Sequence, residues 1–93
     1  MGVKSNFVVK ASGSTNVESV RAENHQDAAE RYLARIARRD LRSRAYKPYV
    51  DREGELENGA IAWKGELWRR ARDGNGWVTD EYRATFTTRE RMD

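Results

Sequence analysis

The sequence predicts an α+β domain: an antiparallel sheet of four or five strands with one amphipathic helix packed on one face, in the order β-β-α-(β)-β-β. Three observations carry this. Residues 24–43 repeat their apolar positions with a helical period, segments at both ends of the chain alternate with a period of two, and clusters of turn-forming residues separate the alternating segments. The 93 residues fit a single domain spanning 1–93 with one modest core. Hydrophobic residues make up 38% and charged ones 35%, so the three Trp, four Tyr and two Phe must supply much of the core volume.

Residues 3–11 contain Phe7, Val8 and Val9 and read as a strand, followed by the turn-formers Ser12-Gly13-Ser14-Thr15-Asn16. Residues 17–23 resume an extended pattern, with Val20 and Ala22 on one face and Ser19 and Arg21 on the other, which completes a hairpin. The helix follows at once. Asn24 suits its N-cap, Asp27 lies three residues on for a capping-box-like pair, and Asp27 and Glu30 lie in the first turn where the helix dipole favours anions. Ala29, Tyr32, Leu33, Ile36 and Ala37 form the apolar face, with Ala28 and Leu41 at its margins. At roughly 100° per residue, Arg31, Arg35, Arg38 and Arg42 fall in an arc of about 60° that points almost directly away from that face.

Residues 44–59 read as an exposed or partly paired connection. Tyr46, Pro48, Tyr49 and Val50 suggest a short extended piece that Pro48 restricts to a sheet edge or end, and residues 51–57 read as an acidic, solvated loop. Asn58-Gly59 marks a turn. Residues 60–72 alternate as a strand with Ile61, Trp63, Leu67 and Ala71 on one face and Gly65 as a bulge. Asp73-Gly74-Asn75-Gly76 turns the chain into a strand over 77–88, where Val78, Tyr82, Ala84 and Phe86 oppose Trp77, Thr79, Glu81, Arg83 and Thr85. Residues 89–93 read as a frayed tail.

Composition narrows the chemistry. The absence of cysteine removes disulfide, iron–sulfur and thiol chemistry. Residues 1–10 lack the apolar block of a secretory signal and no run of about 18 apolar residues occurs, so the expectation is a soluble cytoplasmic protein, not a membrane one. His25 is the only histidine; it reads as a solvated first-turn residue, and no catalytic triad, metal site or cofactor is expected around it. The carboxylates at 53, 55 and 57 have no positioned partner, and the glycines form no phosphate-cradling motif. The chain therefore reads as a binding protein and not as an enzyme.

What remains is charge distribution. The net charge is only +3, but residues 31–47 hold six arginines and one lysine against Asp40, and the segment after them is acidic. A basic helix face is often simply solvated, with Arg31 or its neighbours paired to Asp27, Glu30 or Asp40. Yet this stripe is built from Arg throughout, which suits bidentate binding of carboxylate or phosphate. A second basic run, Arg69, Arg70 and Arg72, lies beside Trp68 and ahead of Trp77, so cations and stacking surfaces could share one site, as in single-strand nucleic-acid binders.

These residues also carry a resemblance. Lys4, Phe7-Val8-Val9-Lys10, the passage Val20-Arg21-Ala22-Glu23 into Ala28-Ala29, and Leu67-Trp68 followed by Asp73-Gly74 and Trp77-Val78 resemble a small family of type I-F anti-CRISPR proteins of phages. The resemblance covers the two hairpins and the start of the helix, and has no counterpart for the arginine-rich helix end or the acidic segment. It implies a sheet with one helix, no catalytic site, and an inhibitor that docks on a CRISPR surveillance complex and blocks target DNA through basic surface residues. Carried over by position it implicates Lys4, Lys10 and Trp68, with Trp77 in the same hairpin. The expectation is thus a phage-type inhibitor acting in a bacterial host on a protein or ribonucleoprotein complex. A direct, sequence-non-specific nucleic-acid binder and a structural virion accessory protein are the rival readings.

Overall fold

The computed structural model describes residues 4–39, 46–70 and 76–91, by backbone alone at 70 and 77–82. The elements are β1 (Ser5–Ala11), β2 (Val17–Ala22), α1 (His25–Arg39), β3 (Lys47–Glu55), β4 (Ile61–Arg70) and β5 (Trp77–Glu90). All neighbouring strands are antiparallel and the sheet order is β2-β1-β5-β4-β3, so the last strand in the chain is the central one. The helix lies on one face and touches all five strands. This is the α+β architecture the sequence predicts, with five strands.

The core is the space between α1 and the sheet. Phe7 and Val9 of β1, Val20 and Ala22 of β2, Ile61, Trp63 and Leu67 of β4, and Phe86 of β5 meet Ala28, Ala29, Tyr32, Leu33, Ile36 and Ala37 of the helix. The helical set is the apolar face read from the 3.6-residue period, and its Ala residues let the helix approach the sheet closely. Tyr32 leans over Phe86 with ring centroids 4.9 Å apart.

The helix start follows its cap. The Asp27 N–H donates to Asn24 Oδ1 at 2.8 Å and the Asp27 carboxylate accepts from the Glu23 N–H at 3.0 Å, a reciprocal pair that closes two otherwise orphaned donors. Burial pulls the Asp27 carboxyl upward, but the Glu23 N–H, the Arg31 guanidinium and the charge of Lys4 outweigh it and hold the group below its ordinary 3.8. A depressed carboxylate stabilises the fold above its unfolded pKa of about 4 and loses that contribution as pH falls through the lower folded value. Asp27→Ala is therefore expected to cost about 1 kcal/mol at neutral pH, and the gap to the parent should narrow progressively below about pH 4 in urea melts.

Three expectations need correction. Residues 51–55 of the acidic segment belong to β3, paired with β4 from Lys47↔Trp68 to Glu55↔Ile61, so only 56–60 form the turn. An edge strand tolerates Pro48 and charged side chains, which is why its alternation is hard to see. Gly65 is not a bulge: Val50↔Gly65↔Ala84 is in regular register, and the irregularities fall between Arg52 and Gly54 and between Glu66 and Trp68. Arg89 and Glu90 are not a tail but continue β5 against Val8 and Phe7, and the Arg91 N–H still donates to Asn6 O at 2.8 Å. The described helix ends at Arg39, and the expected extension through residue 43 lies outside the described residues.

Candidate functional site

Along the helix flank runs a groove of about 630 Å3 lined by Val20, Arg21, Arg31, Ala34, Arg35, Ala37, Arg38 and Tyr46. Three of its arginines come from the predicted stripe, because positions 31, 35 and 38 recur once per helical turn. Arg21 borders the groove as part of the edge strand β2, but it alternates with the buried Val20 and Ala22, so its side chain belongs to the helix-free face. Arg42 lies outside the described residues.

The stripe does not point straight into solvent as the helical wheel implies. Arg35 leans sideways onto β2, donating to the Ser19 carbonyl at 3.1 Å and lying 3.5 Å from the Glu18 carboxylate. A long side chain beside an edge strand gains more from that backbone acceptor and carboxylate than from water alone. Arg39, which lies outside that arc, takes the same Glu18 at 2.9 Å. Arg31 pairs with Asp27 at 2.9 Å, one turn back, the pairing that a merely solvated face would show. Arg38 and Arg21 make no ion pair among the described residues.

Arg31 and Arg35 remain available. Their side chains are 48% and 39% exposed, and each guanidinium carries five donors of which these contacts use one or two. Surface pairs of this kind contribute at most about 1 kcal/mol, so an incoming carboxylate or phosphate can share or replace them. The groove therefore offers a cluster of forked cationic donors on walls that are partly apolar through Val20, Ala34, Ala37 and Tyr46.

The second predicted cluster is elsewhere. Trp68 is half-buried, 5.4 Å from the Tyr49 ring, and its Nε1–H donates to Glu66 at 3.1 Å. That pair lies on the sheet face opposite the helix, so the groove arginines and Trp68 do not form one site. Neighbouring residues in a strand face opposite ways, which separates Arg69 from Trp68. Arg70 is opposite Trp77 in the β4–β5 register, the side chains of both are not described, and Arg72 lies outside the described residues. Trp63, by contrast, is core. Of the residues implied by the family resemblance, Lys4 is exposed just before β1, close enough to act on Asp27, while Lys10 is on the helix-free sheet face.

His25 is not a solvated residue. Its Nδ1 is 2.9 Å from Thr88 Oγ1, and its ring stands edge-on to Phe7 with centroids 4.9 Å apart. The same Thr88 oxygen accepts from Trp63 Nε1 at 2.9 Å. The partner is 63 residues away in sequence, which is why first-turn position alone misleads. Among the described residues no group of three or more His, Asp or Glu side chains could hold a metal ion, and no helix is long and apolar enough to cross a membrane.

No family model, curated protein or solved structure matches this chain.

Proposed function

We propose that this chain is a small non-enzymatic binding protein that docks an acidic protein surface into the guanidinium-lined groove beside α1. In the fuller form of this reading it is an anti-CRISPR-like inhibitor, which seats itself on a nucleic-acid-guided complex of a bacterial host and blocks engagement of target nucleic acid. The observation that carries the proposal is the convergence of Arg31, Arg35 and Arg38 on one groove with partly apolar walls. Carboxylate side chains on a folded partner bring both charge and aliphatic stems to such a surface, whereas free phosphate brings charge only. The resemblance of both hairpins to the type I-F inhibitor family supports the identity of the partner.

The double variant Arg31→Glu/Arg38→Glu tests it. Arg35 is left in place because it ties the helix to β2, and losing the exposed Asp27–Arg31 pair should leave the melting temperature within a few degrees of the parent. Against a purified type I-F surveillance complex, the parent chain is expected to bind and to suppress target-DNA binding, and the variant to bind at least about 30-fold more weakly. A parent chain that does not bind the complex discards the inhibitor reading. A variant that binds as well as the parent discards the groove.

A further inference from the structure

The helix-free face of the sheet presents a second surface, built from residues that the groove does not use. The register places Arg83, Thr85, Thr87 and Arg89 of the central strand on this face, opposite the buried Phe86 and Thr88. They form a ridge of about 20 Å at roughly 3.3 Å per residue. Lys10 of β1 flanks it beside Thr87, and Lys64 of β4 flanks it beside Thr85. Lys10, Lys64 and Arg89 are exposed and make no ion pair among the described residues. Arg83 is 72% exposed and only loosely held, 3.7 Å from Glu66.

The ridge leads towards an aromatic pair. Tyr49 is 50% exposed and packs against Trp68 at an interplanar angle of 57°, with the Lys47 ammonium 5.6 Å from its ring centroid. Glu66 accepts from the Trp68 indole and lies beside Arg83, so the carboxylate nearest the ridge is already engaged by a donor and a cation. Between Lys64 and Arg83 the surface dips into a hollow of about 300 Å3.

We propose that this face binds single-stranded nucleic acid, its phosphates along the Arg83–Arg89 ridge with Lys10 and Lys64 and a base stacked on the Tyr49–Trp68 pair. The centre of a protein–protein interface is depleted of charge and built on apolar anchors, whereas the centre here is threonine, arginine and lysine. Hydroxyl and cationic donors in a row match a phosphate backbone, and an aromatic pair at the end offers the π surface that unpaired bases use. A duplex hides its base faces and gains nothing from Tyr49. The proposal does not depend on the groove, which lies in the other layer of the fold.

The test is fluorescence anisotropy with labelled single-stranded 12-mers of thymidylate and uridylate and with a 12-bp duplex, in 50 to 200 mM salt. Four phosphates neutralised by Lys10, Lys64, Arg83 and Arg89 predict a slope of log affinity on log salt of about −3, a loss of about 50-fold over that range. Arg83→Ala/Arg89→Ala should flatten the slope by about 1.4, and Tyr49→Ala should weaken binding by at least about 5-fold with little change in slope. Both substitutions lie on the exposed face, and unchanged circular dichroism and melting temperature will show that they leave the fold intact. Arg38→Glu in the groove should weaken binding less than Arg83→Ala/Arg89→Ala does. No saturable binding at 50 mM salt, equal affinity for the duplex, or loss of binding on Arg38→Glu but not on the sheet-face substitutions would each overturn the proposal.

Discussion

Gly65→Ala is expected to destabilise the domain by about 1–3 kcal/mol, and combined with Leu33→Ala it should cost less than the two substitutions do separately. A Cβ at position 65 would stand 2.8 Å from Leu33 Cδ1 and from Phe86 Cε1, closer than real carbons approach. Both atoms are ends of side chains, but both residues are buried in the centre of the core, where the surrounding packing leaves little room to move. The absence of a side chain in mid-strand, which ordinarily weakens a strand, here lets the helix settle onto the sheet. Leu33→Ala alone should cost about 2–5 kcal/mol through the cavity it leaves. In the double variant the new methyl group enters that cavity, so the two costs should fall short of additivity by at least about 0.5 kcal/mol in urea melts. Strict additivity would mean that the helix does not rest on Gly65.

Thr88→Val should be the next most damaging conservative change, at about 1–3 kcal/mol, or roughly 4–8 °C of melting temperature per kcal/mol in a domain of this size. The substitution keeps the shape of a fully buried residue but removes the oxygen shared by Trp63 Nε1 and His25 Nδ1. The indole N–H would then be buried without an acceptor, and a buried orphan costs more than its hydrogen bond contributed. Thr88→Ser retains the hydroxyl and should recover most of the loss apart from one methyl group. If valine and serine are equally tolerated, the Trp63–Thr88–His25 contact has no structural weight.

The parts of the fold written in local patterns were readable from the chain. The capped helix, its apolar face, the first hairpin and the alternation in β4 and β5 all depend on residues close in sequence, and each is where its period places it. What escaped depends on distant partners. The charged strand β3 is held by β4, and its Pro48 and acidic residues look like loop until that neighbour is present. His25 looked solvated because Thr88 arrives from the far end of the chain. Gly65 looked like a kink, since nothing nearby in sequence shows that Leu33 will lie above it.

The candidate sites divide along the same line. Helical spacing sufficed to group Arg31, Arg35 and Arg38, but not to show Arg35 bending to Ser19. The alternation through Arg83 and Thr85 marks an outward face that continues to Thr87 within the expected strand, and extending it past residue 88 adds Arg89. Adjacency in the chain groups Trp68 with Arg69, although a strand sends neighbours to opposite faces.

The bond from Arg35 to Ser19 has a bearing on the outermost strands. A sheet of five strands leaves two open rims, on β2 and β3, where another chain could pair by its backbone. On one rim a guanidinium already holds a backbone oxygen, and on the other Pro48 lacks the N–H that a docking strand would need. A helix side chain and an imino acid thus guard opposite rims of the described sheet, which discourages growth by added strands.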